Sequence, residues 1–494
     1  MGKVRKTKTK RNKSNAENEN NGQVIVDSKE NAIQTILDQL QAPNVEEKCC
    51  ALQTMALLAE SSENVQEIIS NDVVRAAAPF LVDSAGSVRN IAAGALRNLS
   101  TMGYETCDAL IEQDIMTPLI CYFHQYTETW TLNDKSKSKD EDAETFVQCI
   151  NLLLNLCESS ELAVKSLCES RILDILPKYL DLSSISHNII ASVLHCLFVV
   201  VEDNPGAIEK IKANGETQLQ SLLNMEGSDY STLLLKTLSA GIVINMTHGQ
   251  IHKLPPEVIS KIMVILSNAL TVDHRQACHQ LSSNIPLRSE DGKTELPKGK
   301  EAQTLNDHLN SVSHLLDSQQ SAIEIIANLC SCGDDDELID SEDSSDTEDM
   351  GVDEICNGSD NTESLLVEDK LPSDVLEAVI SLDMFNKVWA KAQLPAENVM
   401  LHNLQTRALL CVNNMLSILP LKSLSDVDGV YKIWVDAGKL AFKQNTDNIL
   451  LESATAVMRA ALDRIKFREN KTNDGTLFSN LALSDIEVQN KVLL

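Results

Sequence analysis

Aromatic side chains are scarce in this sequence of 494 residues, where Phe, Trp and Tyr together make up 3%. Apolar residues still account for 43%, and most of them are Leu, Ile, Val and Ala. This composition suits helix-on-helix packing better than a β-sandwich or barrel. No apolar run reaches about 18 residues, so we expect no membrane span. The N-terminus also lacks the apolar stretch of a secretory signal, and we expect a soluble intracellular protein.

Signatures of catalysis and of metal binding are missing as well. The sequence has no phosphate-binding glycine loop, His-Glu-x-x-His motif, nucleophile elbow or dinucleotide fingerprint. Its 13 cysteines include no CxxC pair. His274, Cys278 and His279 are the nearest approach to a metal cluster, but they lie in a polar stretch without a second group of ligands. We therefore expect no enzyme activity, no cofactor and no metal.

Most cysteines lie inside apolar helical patterns, where a reduced thiol packs as a small hydrophobic side chain. A disulfide framework is not expected in a long intracellular chain. His195 also lies in an apolar pattern, which favours a packed histidine over a catalytic one. The cysteines concerned are Cys149, Cys157, Cys196, Cys330 and Cys411.

Charge is plentiful but unevenly distributed, with a net value of −30. Residues 3–13 contain basic side chains and no acid, which is typical of a nuclear-import signal or of a nucleic-acid-binding tail. The strongly acidic body that follows favours the import signal. Residues 333–369 contain 16 Asp or Glu and no Lys or Arg, so we expect a disordered polyanionic arm. This arm either keeps the protein soluble or binds a basic partner, and the residues leave both readings open. The basic residues are Lys3, Arg5, Lys6, Lys8, Lys10, Arg11 and Lys13. The acidic residues of the arm include Asp334, Asp335, Asp336, Glu337, Glu342, Asp343, Asp346, Glu348 and Asp349.

Ser345 lies inside the acidic segment and is followed by Asp346, Thr347 and Glu348. This context is typical of a site for an acid-directed kinase. Phosphorylation at Ser345 would make the local charge still more negative.

An internal repeat is the strongest pattern in the sequence. Residues 88–100 begin with Val88-Arg89 and end on Arg97-Asn98-Leu99-Ser100, and Gly94 between them indicates close packing or a break in the helix. The ending recurs around four further asparagines, with a degenerate copy at Cys196. When the polar stretches 127–143, 271–304 and 333–370 are set aside, the periods are roughly 40–50 residues, as in armadillo and HEAT units. Each such unit buries one face against its neighbours, so we predict an all-α solenoid.

The repeated asparagines are candidates for a peptide-binding groove. An amide side chain both donates and accepts, so a row of them can bond to the main chain of an extended peptide. The alternative is that each asparagine bonds to the neighbouring turn and stabilises the stack. Five at the same position in the repeat favour the groove: Asn98, Asn155, Asn245, Asn328 and Asn414.

The order of these features predicts the domain organisation. We expect a basic disordered tail with an import signal (1–28), armadillo-like repeats (29–270), a polar linker insert (271–304), a repeat helix (305–332), an acidic disordered loop (333–370) and C-terminal HEAT-like repeats (371–494). Residues 484–494 read as the start of a helix without the polar cap that ends a solenoid, so we expect the last repeat to be truncated.

Several segments, in the same order, resemble the symportin family, whose animal members are the HEAT-repeat-containing protein 3 sequences. They include the basic run after Met-Gly-Lys, residues 92–100, Asp114 to Leu119, Val201 to Pro205, Leu233 to Leu238, Gln319 to Asn328 before the acidic insert, and Gln405 to Leu409. The resemblance covers roughly residues 1–465. No proline precedes Pro43, so the Pro-Tyr element that can follow the family's basic stretch is absent.

The resemblance implies a mixed armadillo and HEAT superhelix that acts as a chaperone and nuclear-import adaptor. Its cargo would be the two large-subunit ribosomal proteins that accompany 5S ribosomal RNA, carried to the nucleus with an import receptor so that the 5S ribonucleoprotein assembles. The asparagine row and the 333–369 segment are the matching cargo positions. We expect no direct nucleic-acid or membrane partner, and location in both cytoplasm and nucleus. The alternative is an armadillo-type peptide-binding scaffold in signalling or adhesion.

Overall fold

The computed structural model describes residues 32–129, 141–284, 299–331, 371–393, 399–424, 426–443 and 447–472. The chain divides into two compact units, Met1–Ile172 and Leu173–Leu494. The basic segment 3–13, the acidic segment 333–369 and Ser345 lie outside the described residues. The predictions made for them therefore stay predictions.

Unit 1 consists of helices in the part of it that the structure describes. After α1 (32–40), the chain forms the helices α2 (Val45–Leu58), α3 (Ser62–Ser70), α4 (Val73–Ala77), α5 (Gly86–Ser100), α6 (Tyr104–Glu112), α7 (Met116–Thr129), α8 (Glu141–Ser159) and α9 (Glu161–Glu169). A 3₁₀ turn, Ala78–Val82, follows α4 directly.

Unit 2 also consists of helices joined by turns and short loops in its described residues. At the boundary lies the short helix α10 (Ile172–Ile175), and then follow α11 (His187–Val200), α12 (Pro205–Asn224), α13 (Tyr230–Asn245), α14 (Pro256–Thr271), α15 (His274–Asn284), α16 (Lys300–Leu329), α17 (Ser373–Ser381), α18 (Met384–Ala392), α19 (Val399–Ile418), α20 (Asp426–Lys443) and α21 (Asn448–Thr472). The prolines mark helix starts and ends, as their missing N–H requires. Pro205 and Pro256 occupy first helical positions, and the side chain of Asn204 caps α12.

One set of helices in each unit packs in sequence, each against the next. In unit 1 these are α2, α5 and α8; in unit 2 they are α11, α13, α16, α19 and α21. The apolar stripe of α5 shows why: Val88, Ala92, Leu96 and Leu99 recur at helical spacing and are fully buried. We call these the ladder helices, and the accessible side of each set the ladder face of its unit.

Close approach of the ladder helices in unit 2 depends on a glycine in α13. A Cβ on Gly241 would lie 2.5 Å from a ring carbon of Phe198 on α11 and 2.9 Å from a methyl carbon of Ile325 on α16. Any side chain at this position would push the neighbouring helices apart, because packed interiors leave no room for an added methyl group.

Three details of the sequence analysis can be set beside the described residues. The predicted linker insert 271–304 contains a helix, α15, and α16 begins at Lys300 rather than at residue 305. The compact units divide at residue 172, inside the predicted repeat block 29–270. Gly94 neither packs closely nor breaks its helix, because α5 is continuous and nothing lies within 4 Å of the position a Cβ would take.

The predicted all-α class is confirmed: the described ranges contain helices and no strand. The five cysteines predicted to pack in the core are buried. Within the same ranges, no helix has both the length and the apolar character needed to cross a membrane.

Candidate protein-binding face

Ion pairs fix the register of the ladder helices in unit 1. Lys48 in α2 donates to Asp83, just before α5, over 3.0 Å. Arg89 in the first turn of α5 donates to Asp142 in the first turn of α8, also over 3.0 Å. These pairs place the N-terminal ends of α2, α5 and α8 side by side.

The Asp83 carboxylate is held in its charged form by these contacts. Burial by itself would raise its pKa, but hydrogen bonds from the Ala85 N–H and from Lys48 outweigh burial and lower the pKa below its ordinary value. Lys48 also lies 5.0 Å above the ring of Phe80. The paired charges Lys48–Asp83 and Arg89–Asp142 are therefore held in place at the first end of the unit 1 ladder face.

The two predicted asparagines of unit 1 lie at the opposite, C-terminal ends of their helices. The Asn155 amide donates to Ser100 Oγ over 2.8 Å, which ties α8 to the last residue of α5. Asn98 accepts from the Arg97 guanidinium over 2.6 Å. Both asparagines are partly accessible. Asn155 thus stabilises the stack, while its accessible side remains open to a ligand.

An open position accompanies the asparagines on the same face. Gly94 precedes Asn98 by one helical turn and Asn151 precedes Asn155 by one turn, so each pair shares a face. Because nothing lies near Gly94 Cα on the side where a Cβ would be, the backbone of α5 is approachable there. The ladder face of unit 1 can accept a close-lying main chain at this point.

In unit 2 the structure brings Asn328 and Asn414 to adjacent helices. The Asn414 amide donates to the Ala327 carbonyl over 3.1 Å, one residue before Asn328. Asn328 is exposed at the end of α16, and Asn245 is partly accessible at the end of α13. Neither of these two side chains makes a recorded hydrogen bond to a described residue. The same C-terminal position on consecutive ladder helices is thus polar and accessible in both units.

Acidic side chains add a charge pattern to the unit 2 ladder face. Glu324, one turn before Asn328, accepts from Arg407 of α19 over 2.5 Å. Burial raises the pKa of Glu202, and the carboxylates of Glu324 and Asp203 raise it further. Burial also raises the pKa of Asp317, on α16, to about 6. The carboxylates of Glu202, Glu324 and Asp203 thus repel one another, and a cationic partner group beside them would relieve this repulsion.

Two histidines of unit 2, His195 and His274, have pKa values that burial lowers. Burial and the nearby His314 lower the pKa of His195 to about 4. The ring of His187 lies 2.7 Å from Ser231 Oγ, but that hydroxyl donates to Asp229, the N-cap of α13. Burial and then Lys391 lower the pKa of His274 to about 4, and His274 bonds to the Lys391 ammonium. No group of three or more metal-binding side chains occurs in the ranges described.

Sequence reasoning missed the ion pairs between repeats and the buried amides that cap neighbouring helices. Gln113 of α6 donates to the Ile69 carbonyl at the end of α3, and Gln319 of α16 donates to two carbonyls at the end of α14. One signal was available for the ion pairs. A basic side chain such as Arg89 is disfavoured in a first helical turn, so its presence there indicates a tertiary partner.

Comparisons with known proteins agree with this picture. HEAT repeat-containing protein 3 of Homo sapiens is 28% identical over 489 residues, which covers 86% of this chain and 71% of the human protein. The Mus musculus protein of that name is 27% identical over 485 residues, with the same coverage. A family described as SYO1-like, TPR repeats matches residues 373–491, the region predicted as HEAT-like repeats.

Among solved structures, the designed armadillo repeat protein YIII(Dq)4CqI is 20% identical, with a TM-score of 0.36 over 56% of this chain and 100% of that one. A computationally designed armadillo repeat protein for modular peptide recognition is 19% identical, with a TM-score of 0.36, and covers 56% of this chain and 99% of its own. The resemblance of this chain to the symportin family is confirmed by the two HEAT repeat-containing protein 3 sequences, which align along most of the chain, and by the SYO1-like family match at residues 373–491.

Proposed function

We propose that this protein is a chaperone and nuclear-import adaptor for the basic large-subunit ribosomal proteins that accompany 5S ribosomal RNA. In this role it binds them through its ladder faces, keeps them soluble and promotes assembly of the 5S ribonucleoprotein. It acts by binding, without catalysing a reaction, in cytoplasm and nucleus.

The observation that carries the proposal is that the ladder faces combine accessible asparagines with carboxylates. In the described part of unit 1, Asp and Glu outnumber Lys and Arg about three to one. The cations Lys48 and Arg89 of its ladder helices are taken up by ion pairs with Asp83 and Asp142. A basic partner therefore meets carboxylates, and the whole chain, at −30, attracts it from a distance.

The asparagine positions suit an extended segment of such a partner. Packed helices lie about 8–10 Å apart, so about three residues of an extended chain span one step between ladder helices. An amide at the same place on each helix can then bond to the main chain at a regular interval. Neighbouring carboxylates add selectivity for basic side chains.

The acidic segment 333–369 supports the same reading through its sequence. With 16 carboxylates and no cation, the segment is opposite in charge to a basic ribosomal protein. Before assembly, such a protein otherwise binds nucleic acid at random. The basic segment 3–13 supplies a recognition signal for an import receptor.

The proposal is tested by pull-down from cell lysate with the full chain and with a variant lacking residues 333–369. The helices on either side of this segment, α16, α17 and α18, all pack on α14, so the deletion should leave the fold intact. Circular dichroism checks this. A matched control replaces the acids of the segment by Asn and Gln at unchanged length.

We expect the 5S-associated ribosomal proteins to co-purify with the full chain, and at least one of them to be lost from both variants. If the ribosomal proteins bind all three chains equally, the acidic segment has no part in binding. If they bind none, while other proteins with acidic or apolar tails do, the chain is a scaffold of the signalling or adhesion kind.

A further inference from the structure

We propose that the basic segment 3–13 docks on the ladder face of unit 1 when no cargo is bound, and that basic cargo displaces it. This inference rests on the proposed function, because cargo and tail would compete for one face. It adds a regulatory step: the basic segment becomes available to other partners only when cargo is loaded.

The face offers unpaired negative charge along one edge. Because the N-terminal ends of α2, α5 and α8 lie side by side, the first-turn acids of α2 and α8 line that edge together. Glu46, Glu47, Glu141 and Glu144 are all exposed. None of the four forms a recorded ion pair with a described residue.

The cations of the same helices do not neutralise this edge. Lys48 bonds to Asp83, Arg89 bonds to Asp142 and to the Asp83 carbonyl, and Arg97 is held by Asn98 at the far end of α5. The Arg89 guanidinium also lies near Glu141, because both groups come within 3.5 Å of the position a Cβ on Gly86 would take. An incoming cation therefore meets chiefly the carboxylates of Glu46, Glu47 and Glu144. Pairing at such an exposed edge is worth little for one contact, so several must act together.

The segment 3–13 supplies several cations at once, so several contacts can form together. It carries seven Lys or Arg and no acid, within a chain whose net charge is −30. Fully extended, its 11 residues span about 36 Å. Three ladder helices packed side by side span about 20 Å between their outer axes, so the segment can cross all of them.

The position of the tail in the chain makes docking within one molecule feasible. Residues 14–31 separate the basic segment from α1, which leads through a short turn into α2. Those 18 residues reach at most about 60 Å, which exceeds the width of the face. A tether of this length gives a local concentration on the order of millimolar, so weak pairing in trans becomes substantial occupancy in cis.

The test uses the synthetic peptide of residues 3–13, labelled with a fluorophore, and full-length chains at about 50 mM salt. The first variant replaces the seven basic residues of segment 3–13 by Gln, which removes the competing tail and leaves the body unchanged. The second adds E46Q, E47Q and E144Q to this tail-neutralised chain. The matched control instead adds E105Q, D108N and E112Q on α6, which removes the same charge from a helix that is not a ladder helix.

We expect the peptide to bind the tail-neutralised chain about tenfold more tightly than the wild type, because the wild-type tail occupies the face. The E46Q/E47Q/E144Q change should lose most of this binding, whereas the α6 control should keep it. Equal affinity for wild type and tail-neutralised chain overturns the inference, as does equal loss in the face variant and the α6 control.

Binding of the 5S-associated ribosomal proteins is measured on the same chains, which separates the two claims. If these proteins bind the wild type while the tail peptide binds no chain, the proposed function stands and tail docking is wrong. If neither the peptide nor the ribosomal proteins bind, both are wrong. Tighter ribosomal-protein binding to the tail-neutralised chain supports competition for one face.

Discussion

At the scale of single residues, two glycines of the ladder helices have opposite roles. Gly241 lies between Phe198 and Ile325, where a Cβ has no room, whereas the corresponding space beside Gly94 is empty. Both precede a ladder asparagine by four residues in the sequence. A glycine four residues before the asparagine therefore allows close helix packing in unit 2 and leaves an open surface in unit 1.

Replacing Gly241 by Ala should lower the free energy of unfolding of unit 2 by about 1–3 kcal/mol, because the added methyl group overpacks the contact with α11 and α16. The matched variant Gly94→Ala should raise stability by about 0.5–1 kcal/mol, since Ala favours a helix and meets no atom. Urea unfolding followed by circular dichroism measures both. A Gly241→Ala chain as stable as the wild type would contradict the packing described.

Asp317 should give the protein a pH dependence of stability. Burial raises the pKa of Asp317 to about 6, so the folded state holds its proton more tightly than the unfolded state. Its contribution is present in full below about pH 4 and is lost as the pH rises toward 6, by about 1–2 kcal/mol. Asp317→Asn should remove this component from the slope of stability between pH 4 and 6. An unchanged slope in Asp317→Asn would show that another group is responsible.

The asparagine row is tested at the same scale by N98A/N155A/N245A. We expect weaker binding of basic ribosomal cargo, by at least about tenfold, since each lost hydrogen bond is worth about 1 kcal/mol. The far-ultraviolet signal of helix should persist. The control N64A/N268A/N386A removes three amides from α3, α14 and α18, which are not ladder helices, and should bind as the wild type does. Equal affinity of both triple variants would rule out the groove.

At the scale of elements, the ends of helices are held by side chains from the following repeat. Gln113 donates to the Ile69 carbonyl over 2.7 Å and accepts from the Arg75 N–H over 3.2 Å, so one buried amide satisfies two backbone groups around α3 and α4. Lys391 and Gln319 both donate to the Val272 carbonyl after α14. Such bonds join neighbouring repeats at positions where helices leave backbone groups unpaired.

Gln113→Ala should therefore destabilise unit 1 by about 1–3 kcal/mol, because the Arg75 N–H loses this acceptor and the Ile69 carbonyl keeps only the Asp72 N–H. Gln66→Ala, at an exposed position of α3, is the matched control and should change stability by less than about 0.5 kcal/mol. Thermal or urea unfolding measures the difference. Equal stability of the two variants would mean that water replaces the Gln113 amide at no cost.

Much at this scale could be predicted from sequence, and the failures have physical causes. Apolar spacing in residues 88–99 predicts α5 and its buried side, because a helix repeats every 3.6 residues. The polar composition of residues 271–304 predicts a linker insert, and it gives no sign of α15, which forms in the described part of this stretch and packs on α16. The pairing of Arg89 with Asp142 depends on how two distant segments align, and a single sequence carries little information on that.

At the scale of the whole molecule, the candidate site follows from repetition together with charge. One asparagine position recurs on consecutive ladder helices, and the net charge of −30 adds an attraction for basic partners that no single contact provides. The sequence could predict the asparagine row. It could not predict that Asn155 and Asn414 also tie neighbouring helices together, because that depends on which backbone groups come within reach.

The central claim is that this chain binds basic ribosomal proteins through charged and polar ladder faces. The most direct measurement is the affinity of the purified full chain for each 5S-associated ribosomal protein between about 50 and 300 mM salt. We predict that the affinity falls by at least about tenfold over this range, because salt screens the attraction between the two charged partners. Absence of binding at the lowest salt, or an affinity that does not change with salt, would contradict it.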